Sequence, residues 1–146
     1  MLSLNPCLQR DNFSCGPACA RCVLDFFGLA KRGTSSATTP IDGTDPRTIE
    51  GFLRRAGLRL QSGEMTVADL KHHTEAMERP VIAAVTFDEE PHYVVVSGVR
   101  RGRVYLMDPW RGLVSLTASA FVASWWVGED RFGARYQSFG IAAARE

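Results

Sequence analysis

An excess of charge of either sign is what the sequence most clearly lacks. Its 146 residues carry 17 Lys and Arg against 16 Asp and Glu, a formal net charge of +1. The short basic clusters Arg54-Arg55 and Arg100-Arg101-Gly102-Arg103 read as a solvated helix face and a turn, not as the continuous basic surface that nucleic acid requires. No nucleic-acid partner is expected. Long apolar runs are also missing. The longest, at 81–85 and 94–96 with their neighbours, have strand length, whereas a membrane-spanning helix needs about 20 apolar residues. The start, Met1-Leu2-Ser3-Leu4-Asn5-Pro6, has neither a basic segment nor a sustained apolar stretch, so a conventional export leader is not expected. The implied site of action is cytoplasmic, in the producing cell or in a recipient cell if the chain is delivered.

Cysteine is confined to the first 22 residues, at Cys7, Cys15, Cys19 and Cys22. Four thiols so placed make a poor disulfide framework for a chain large enough to fold without staples. The C-x3-C-x2-C spacing has no CxxC or CxxH counterpart further on, which argues against structural zinc. No metal or organic cofactor is implied. Cys15, Cys19 and Cys22 follow an i, i+4, i+7 pattern, so Cys19 and Cys22 read as small buried apolar residues. Cys15 then needs a separate explanation.

What is present suits one domain spanning residues 1–146 with a single core. A first helix over 18–27 has Ser14 or Cys15 as cap, Pro17 in its first turn and Gly28 as its stop. A Ser-, Thr- and Gly-rich loop follows at 31–43. Asp45-Pro46 opens a second helix that ends at Ala56-Gly57. A short strand is expected at 58–61. A third helix at 67–78 is capped by Thr66 and turns Val67, Leu70, Thr74 and Met77 inward. Strands are expected at 81–87, 93–99, 103–107, 113–116 and 136–143, with a short helix at 118–126. Helices first and antiparallel strands afterwards predict an α+β fold, N-terminal helices packed on a C-terminal sheet.

The chemistry centres on Gln9-Arg10-Asp11-Asn12-Phe13-Ser14-Cys15-Gly16-Pro17-Ala18. Unpaired backbone N–H groups and the positive end of a helix dipole favour thiolate over thiol at a helix start. Gly16 leaves room for a carbonyl beside the sulfur. The Cys15 N–H and the Gln9 side-chain amide can donate to an oxyanion. A thiolate needs a base. His72 and His73 are expected on the solvent side of the third helix, whereas His92 opens the apolar strand Tyr93-Val94-Val95-Val96. Asp108 ends the next strand. The Arg101-Gly102 turn is nearly central between the two, at 101 − 92 = 9 and 108 − 101 = 7 residues. His92 and Asp108 should therefore meet at one end of a hairpin. Asp before Pro109 is also a common turn starter, and both readings of Asp108 apply.

Gln9 with Cys15-Gly16-Pro17-Ala18, the His92-Tyr93-Val94-Val95-Val96 strand and Asp108-Pro109-Trp110-Arg111-Gly112 together resemble the C39 family of papain-like cysteine peptidases. The resemblance runs from Gln9 to about Trp126. It implies a papain-like fold and cleavage after a Gly-Gly motif, with Cys15 as nucleophile, His92 as base, Asp108 as its orienter and Gln9 as an oxyanion donor. Trp110 departs from the small residue that the family often has there. The partner implied is a protein or peptide substrate carrying Gly-Gly. Nothing in the chain resembles a transporter's membrane or ATPase segment. A free-standing leader peptidase, a piece of a split system and an interbacterial toxin with an immunity or inhibitor protein all stay open. So do deamidation or acyl transfer through the same thioester, and, ranked last, a non-catalytic peptide-binding module.

Overall fold

The structure is a computed structural model that describes residues 1–9, 15–29, 45–88, 90–129, 133 and 135–146. The expected loop at 31–43 and the alternative cap Ser14 lie outside the described residues.

Helix α1, Cys15–Phe26, starts at the cysteine itself. It ends where Gly28 takes φ +69, with the Gly28 N–H donating to Asp25 O and the Leu29 N–H to Leu24 O. A positive φ at that position favours glycine. The small residues Ala18, Cys19, Ala20 and Cys22 are all buried, which lets the helix lie close to the sheet. Helix α2, Pro46–Arg55, turns Ile49, Phe52 and Leu53 inward. Asp45 stands at its N-cap, but the cap is made by the backbone. The Asp45 carbonyl accepts from the Thr48 and Ile49 N–H groups, and its side chain makes no cap bond.

Strand β1 runs over Leu58–Glu64, longer than expected, and pairs along its whole length with β8, Phe139–Arg145. Helix α3, Val67–Lys71, opens with a reciprocal capping box between Thr66 and Asp69. It then widens into a π-helical turn, His72–Ala76, in which the Met77 N–H donates to His72 O. That wider turn overturns two expectations drawn from regular helical spacing. His73 is buried at 4% exposure instead of facing solvent, and Met77 is 44% exposed instead of facing inward.

The remaining elements are β2 (Val81–Phe87), β3 (Glu90–Arg100), β4 (Arg103–Asp108), β5 (Gly112–Thr117), α4 (Ala118–Ser124), β6 (Val127–Glu129) and β7 (Arg135–Gln137). The strand expected at 136–143 is split at Ser138, which takes φ +46, so that β7 pairs with β6 and β8 enters the main sheet. Helix α4 ends earlier than expected, because Trp125 leaves it to bridge Val85. Among the described residues, six strands form one antiparallel sheet in the order β1-β8-β2-β3-β4-β5.

Both faces of that sheet are covered. Cys19 and Val23 of α1 and Ile49 and Leu53 of α2 pack with Ile82, Val95, Met107 and Ile141. On the other face Leu70 of α3 and Phe121 and Trp125 at α4 pack with Val85, Val94 and Leu106. The helices therefore flank the sheet on two sides, and the middles of β2 and β3, at 81–85 and 94–96, read as unbroken apolar runs because neither face meets water there. No helix among the described residues is long and apolar enough to cross a membrane.

Candidate active site

Three elements converge on His92. Cys15 is the first residue of α1, and its thiol is largely buried. Pro17 costs that helix nothing, since N–H groups in a first turn have no intrahelical acceptor. His92 lies near the start of β3, opposite Val85 of β2. Asp108 is the last residue of β4, with its side chain 1% exposed. His92 Nε2 and Asp108 Oδ1 are 2.7 Å apart, and the imidazole is also hydrogen-bonded to the Cys15 side chain. With Nε2 on the carboxylate, Nδ1 is the nitrogen left for the sulfur.

The hairpin reaches this geometry by a route that counting from the turn did not show. Arg101 and Gly102 both have positive φ, as a two-residue hairpin turn requires. A β-bulge then falls between Val96 and Gly98, and beyond it Val95 pairs with Met107. Asp108 thus sits level with Val94, two residues from His92 along the neighbouring strand. A regular ladder from the same turn would set Asp108 level with Val95 and turn His92 to the reverse face. The glycine at position 98 inside an apolar strand was the available sign of a bulge.

Asp108 accepts from three directions. Oδ1 takes His92 Nε2 and, at 2.8 Å, the Trp110 backbone N–H, while Oδ2 takes Arg111 Nε at 3.0 Å. Burial would raise the carboxyl pKa, but these three donors prevail and lower it to about 2. Burial likewise works against a charged imidazole, yet the bonds to Asp108 and Cys15 raise His92 to about 9. The stabilisation from His92 is fully present below pH 6.5 and is lost as pH rises through about 9. That from Asp108 is fully present above 3.8 and is lost as pH falls through about 2. An NMR titration of the ring should accordingly find His92 still protonated at pH 8. A midpoint near 6.5, its ordinary value, would refute the pairing.

The other cysteines stay apart from this chemistry. All four are thiols and not disulfides. Burial first, then the neighbouring acidic groups, pushes the Cys19 thiol well above its ordinary value, as suits a packing residue. The segment before α1 is strapped across β3 and the turn after Asp108. The Leu2 N–H donates to Ser97 O and the Gln9 N–H donates to Pro109 O, each at 2.8 Å. Gln9 is thereby fixed beside the turn that follows Asp108, and its Oε1 is shielded from solvent.

The sequence did not reveal several neighbours. Tyr93 is held well above the ordinary tyrosine range by burial, then by nearby Cys15 and Asp45. Arg111 and Phe87 flank the Asp108–His92 pair. Arg111 could have been noticed as a cation three residues after an acid, whereas nothing in the sequence ties Phe87 to it. The Trp110 indole is exposed while its backbone N–H binds Asp108. A thiol at a helix start, an imidazole against it and a carboxylate behind the imidazole can move a proton off sulfur and hand it on.

The family model described as the peptidase C39 family matches residues 3–128. The lactococcin-G-processing and transport ATP-binding protein LagD of Lactococcus lactis subsp. lactis is 26% identical over 121 residues, 80% of this chain and 17% of that protein. The lactococcin-A transport/processing ATP-binding protein LcnC of the same organism is 30% identical over 128 residues, again 80% of this chain and 17% of that protein. The chain thus spans 17% of the length of both relatives. A double-glycine-motif protease from an AMS/PCAT transporter, solved in complex with the leader peptide, superposes with a TM-score of 0.73 at 18% identity, over 99% of this chain and 93% of that one. The peptidase domain of Streptococcus ComA, a bi-functional ABC transporter involved in a quorum-sensing pathway, gives 0.73 at 17% identity over 100% of both chains. These two likenesses establish the fold, and the α+β, papain-like expectation holds.

Proposed function

The chain belongs to the peptidase C39 family, and from that premise we propose that it cleaves protein or peptide substrates after a Gly-Gly motif by a Cys-His-Asp mechanism, with residues 1–146 acting as one domain. The observation that supports this most is His92, bonded at once to Cys15 and to Asp108. In this reading His92, protonated at neutral pH, already holds the proton given up by Cys15, and the Cys15 sulfur attacks the carbonyl carbon of the second glycine. The oxyanion is met by the Cys15 N–H, one of the unpaired donors of a helix start, and by the Gln9 amide. His92 then gives the proton to the leaving amine as the C–N bond breaks. Water, deprotonated by His92, hydrolyses the thioester and regenerates the thiol. Asp108 keeps the ring oriented throughout.

Gln9→Ala removes one of the two oxyanion donors. The cleavage rate of a Gly-Gly peptide should fall by about 100- to 1,000-fold, with little change in KM. Full activity in that variant would leave Gln9 as a mere strap residue. The reaction itself is tested by mass spectrometry of a peptide with an internal Gly-Gly. Two fragments divided after the second glycine support proteolysis, whereas a shifted intact mass without new termini would move the assignment to deamidation or acyl transfer. Bound but uncut peptide would favour a binding module.

Both curated relatives carry processing and transport in their names, which favours leader-peptide maturation in the cytoplasm of the producing cell. Growth of bacteria producing the wild type or Cys15→Ala separates this from a toxin. Arrest by the wild type alone would shift the role to an effector acting in a recipient cytoplasm, with an immunity protein as its partner.

A further inference from the structure

Four side chains, the imidazole among them, close a ring of which the proposed reaction by itself requires only two. Asp108 Oδ1 holds His92, while Oδ2 accepts from Arg111 Nε at 3.0 Å. The Arg111 guanidinium carbon lies 5.5 Å from the centroid of the Phe87 ring. Phe87 in turn lies against the imidazole, with centroids 5.6 Å apart and planes tilted by 42°. The cycle Arg111–Asp108–His92–Phe87 draws on β2, β3, β4 and the turn after β4, so it forms only when those strands are paired in register.

The Arg111 side chain is 51% exposed. An ion pair with so wet a partner is a weak source of stability, and its effect falls on geometry instead. The terminal torsion of a carboxylate is soft and roughly two-fold. Donors on Oδ1 alone leave Oδ2 to swing, whereas a donor on each oxygen fixes the plane. A planar guanidinium can donate through Nε and stack a face on an aromatic ring at once, which an ammonium cannot. We propose, on the Cys-His-Asp reading above, that Arg111 is a positioning residue that holds the Asp108 carboxylate and, through Phe87, the plane of the His92 ring facing Cys15.

Arg111→Ala should lower kcat on a Gly-Gly peptide by about 10- to 100-fold, the order expected when a reacting group is displaced by about 1 Å, while KM stays within about twofold. Arg111→Lys should give an intermediate kcat, and Phe87→Ala combined with Arg111→Ala should lose little beyond the worse single variant, as members of one unit do. The readout independent of substrate is the downfield NMR resonance of the His92 Nε2 proton. In Arg111→Ala it should broaden through faster exchange, and it should vanish at a higher acid pH than in the wild type, because Arg111 helps hold the Asp108 carboxyl low. The melting temperature should hardly move.

A kcat within about twofold of wild type with an unchanged His92 resonance would overturn the assignment. So would a rise in KM alone, which would make Arg111 a substrate contact. Should the wild type cut no Gly-Gly peptide, the proposed reaction falls, and the His92 resonance still decides the role of Arg111.

Discussion

Replacing Cys15 by alanine is expected to reduce kcat/KM on a Gly-Gly peptide by about 10,000-fold or more, since loss of the nucleophile in related acyl-transfer sites leaves only what the oxyanion donors and binding contribute. In the proposed reaction the thiol forms the covalent bond, and its neighbours have nothing to substitute. Cys19 and Cys22 are at most 1% exposed and cannot meet a peptide carbonyl. Burial keeps Cys19 protonated as well. Cys7 is only partly buried but belongs to the strap. The substitution removes one small, nearly buried sulfur, so stability should change by no more than about 1 kcal/mol. Equal melting temperatures and a near-total loss of cleavage are the expected pair of results. Cleavage above a hundredth of wild type, on the scale of a single lost auxiliary group, would place the nucleophile elsewhere.

Asp108 carries the second large effect, and its two variants should differ. Alanine removes the acceptor for His92, for the Trp110 N–H and for Arg111 together. A loss of kcat of about 1,000- to 10,000-fold is expected, with a stability loss at pH 6 of about 3–5 kcal/mol, as when one member of a buried pair is deleted. Asparagine can still accept from His92 and Trp110 through its oxygen, but it presents an N–H to Arg111 and carries no charge. It should keep more kcat than alanine, and its imidazole should titrate below the wild-type value of about 9. The stability gap between wild type and alanine should shrink as pH rises through about 9, where the wild-type ring itself loses its proton. Denaturant titrations at several pH values, beside the kinetics, check both halves. Activity of the alanine variant within about tenfold of wild type would reduce Asp108 to the turn residue that the Asp-Pro sequence also allows.

How far the sequence reaches is plain from these same residues. Apolar periodicity and turn chemistry were enough to locate α1, α2, the Arg101-Gly102 hairpin and the meeting of His92 with Asp108. His92 meets Asp108 because a bulge absorbs one residue between Val96 and Gly98, a correction that a count from the turn cannot supply. Regular helical spacing failed after Lys71, where a π-helical turn moved His73 inward and Met77 outward. The pairing of β1 with β8 joins residues 58–64 to 139–145, and no local pattern carries a contact at that separation. Arg111 lay in plain view beside Asp108, but its place over the Phe87 ring depends on the pairing of β2, β3 and β4. Local chemistry was legible, and the parts built from distant segments were not.

The strap has a consequence for synthesis. Its second anchor joins the N–H of residue 9 to the carbonyl of residue 109, and the partner of Cys15 lies at residue 92, whose own partner lies at residue 108. A growing chain releases Cys15 before any of the groups that would arm it in the proposed reaction. Contacts of such long separation form only after the intervening segments have folded. A ribosome-bound chain that has not yet released Pro109 therefore holds Cys15 with neither its strap nor its carboxylate in place. Under the proposed mechanism, a chain caught at that stage carries the sulfur without the full set of groups that would activate it.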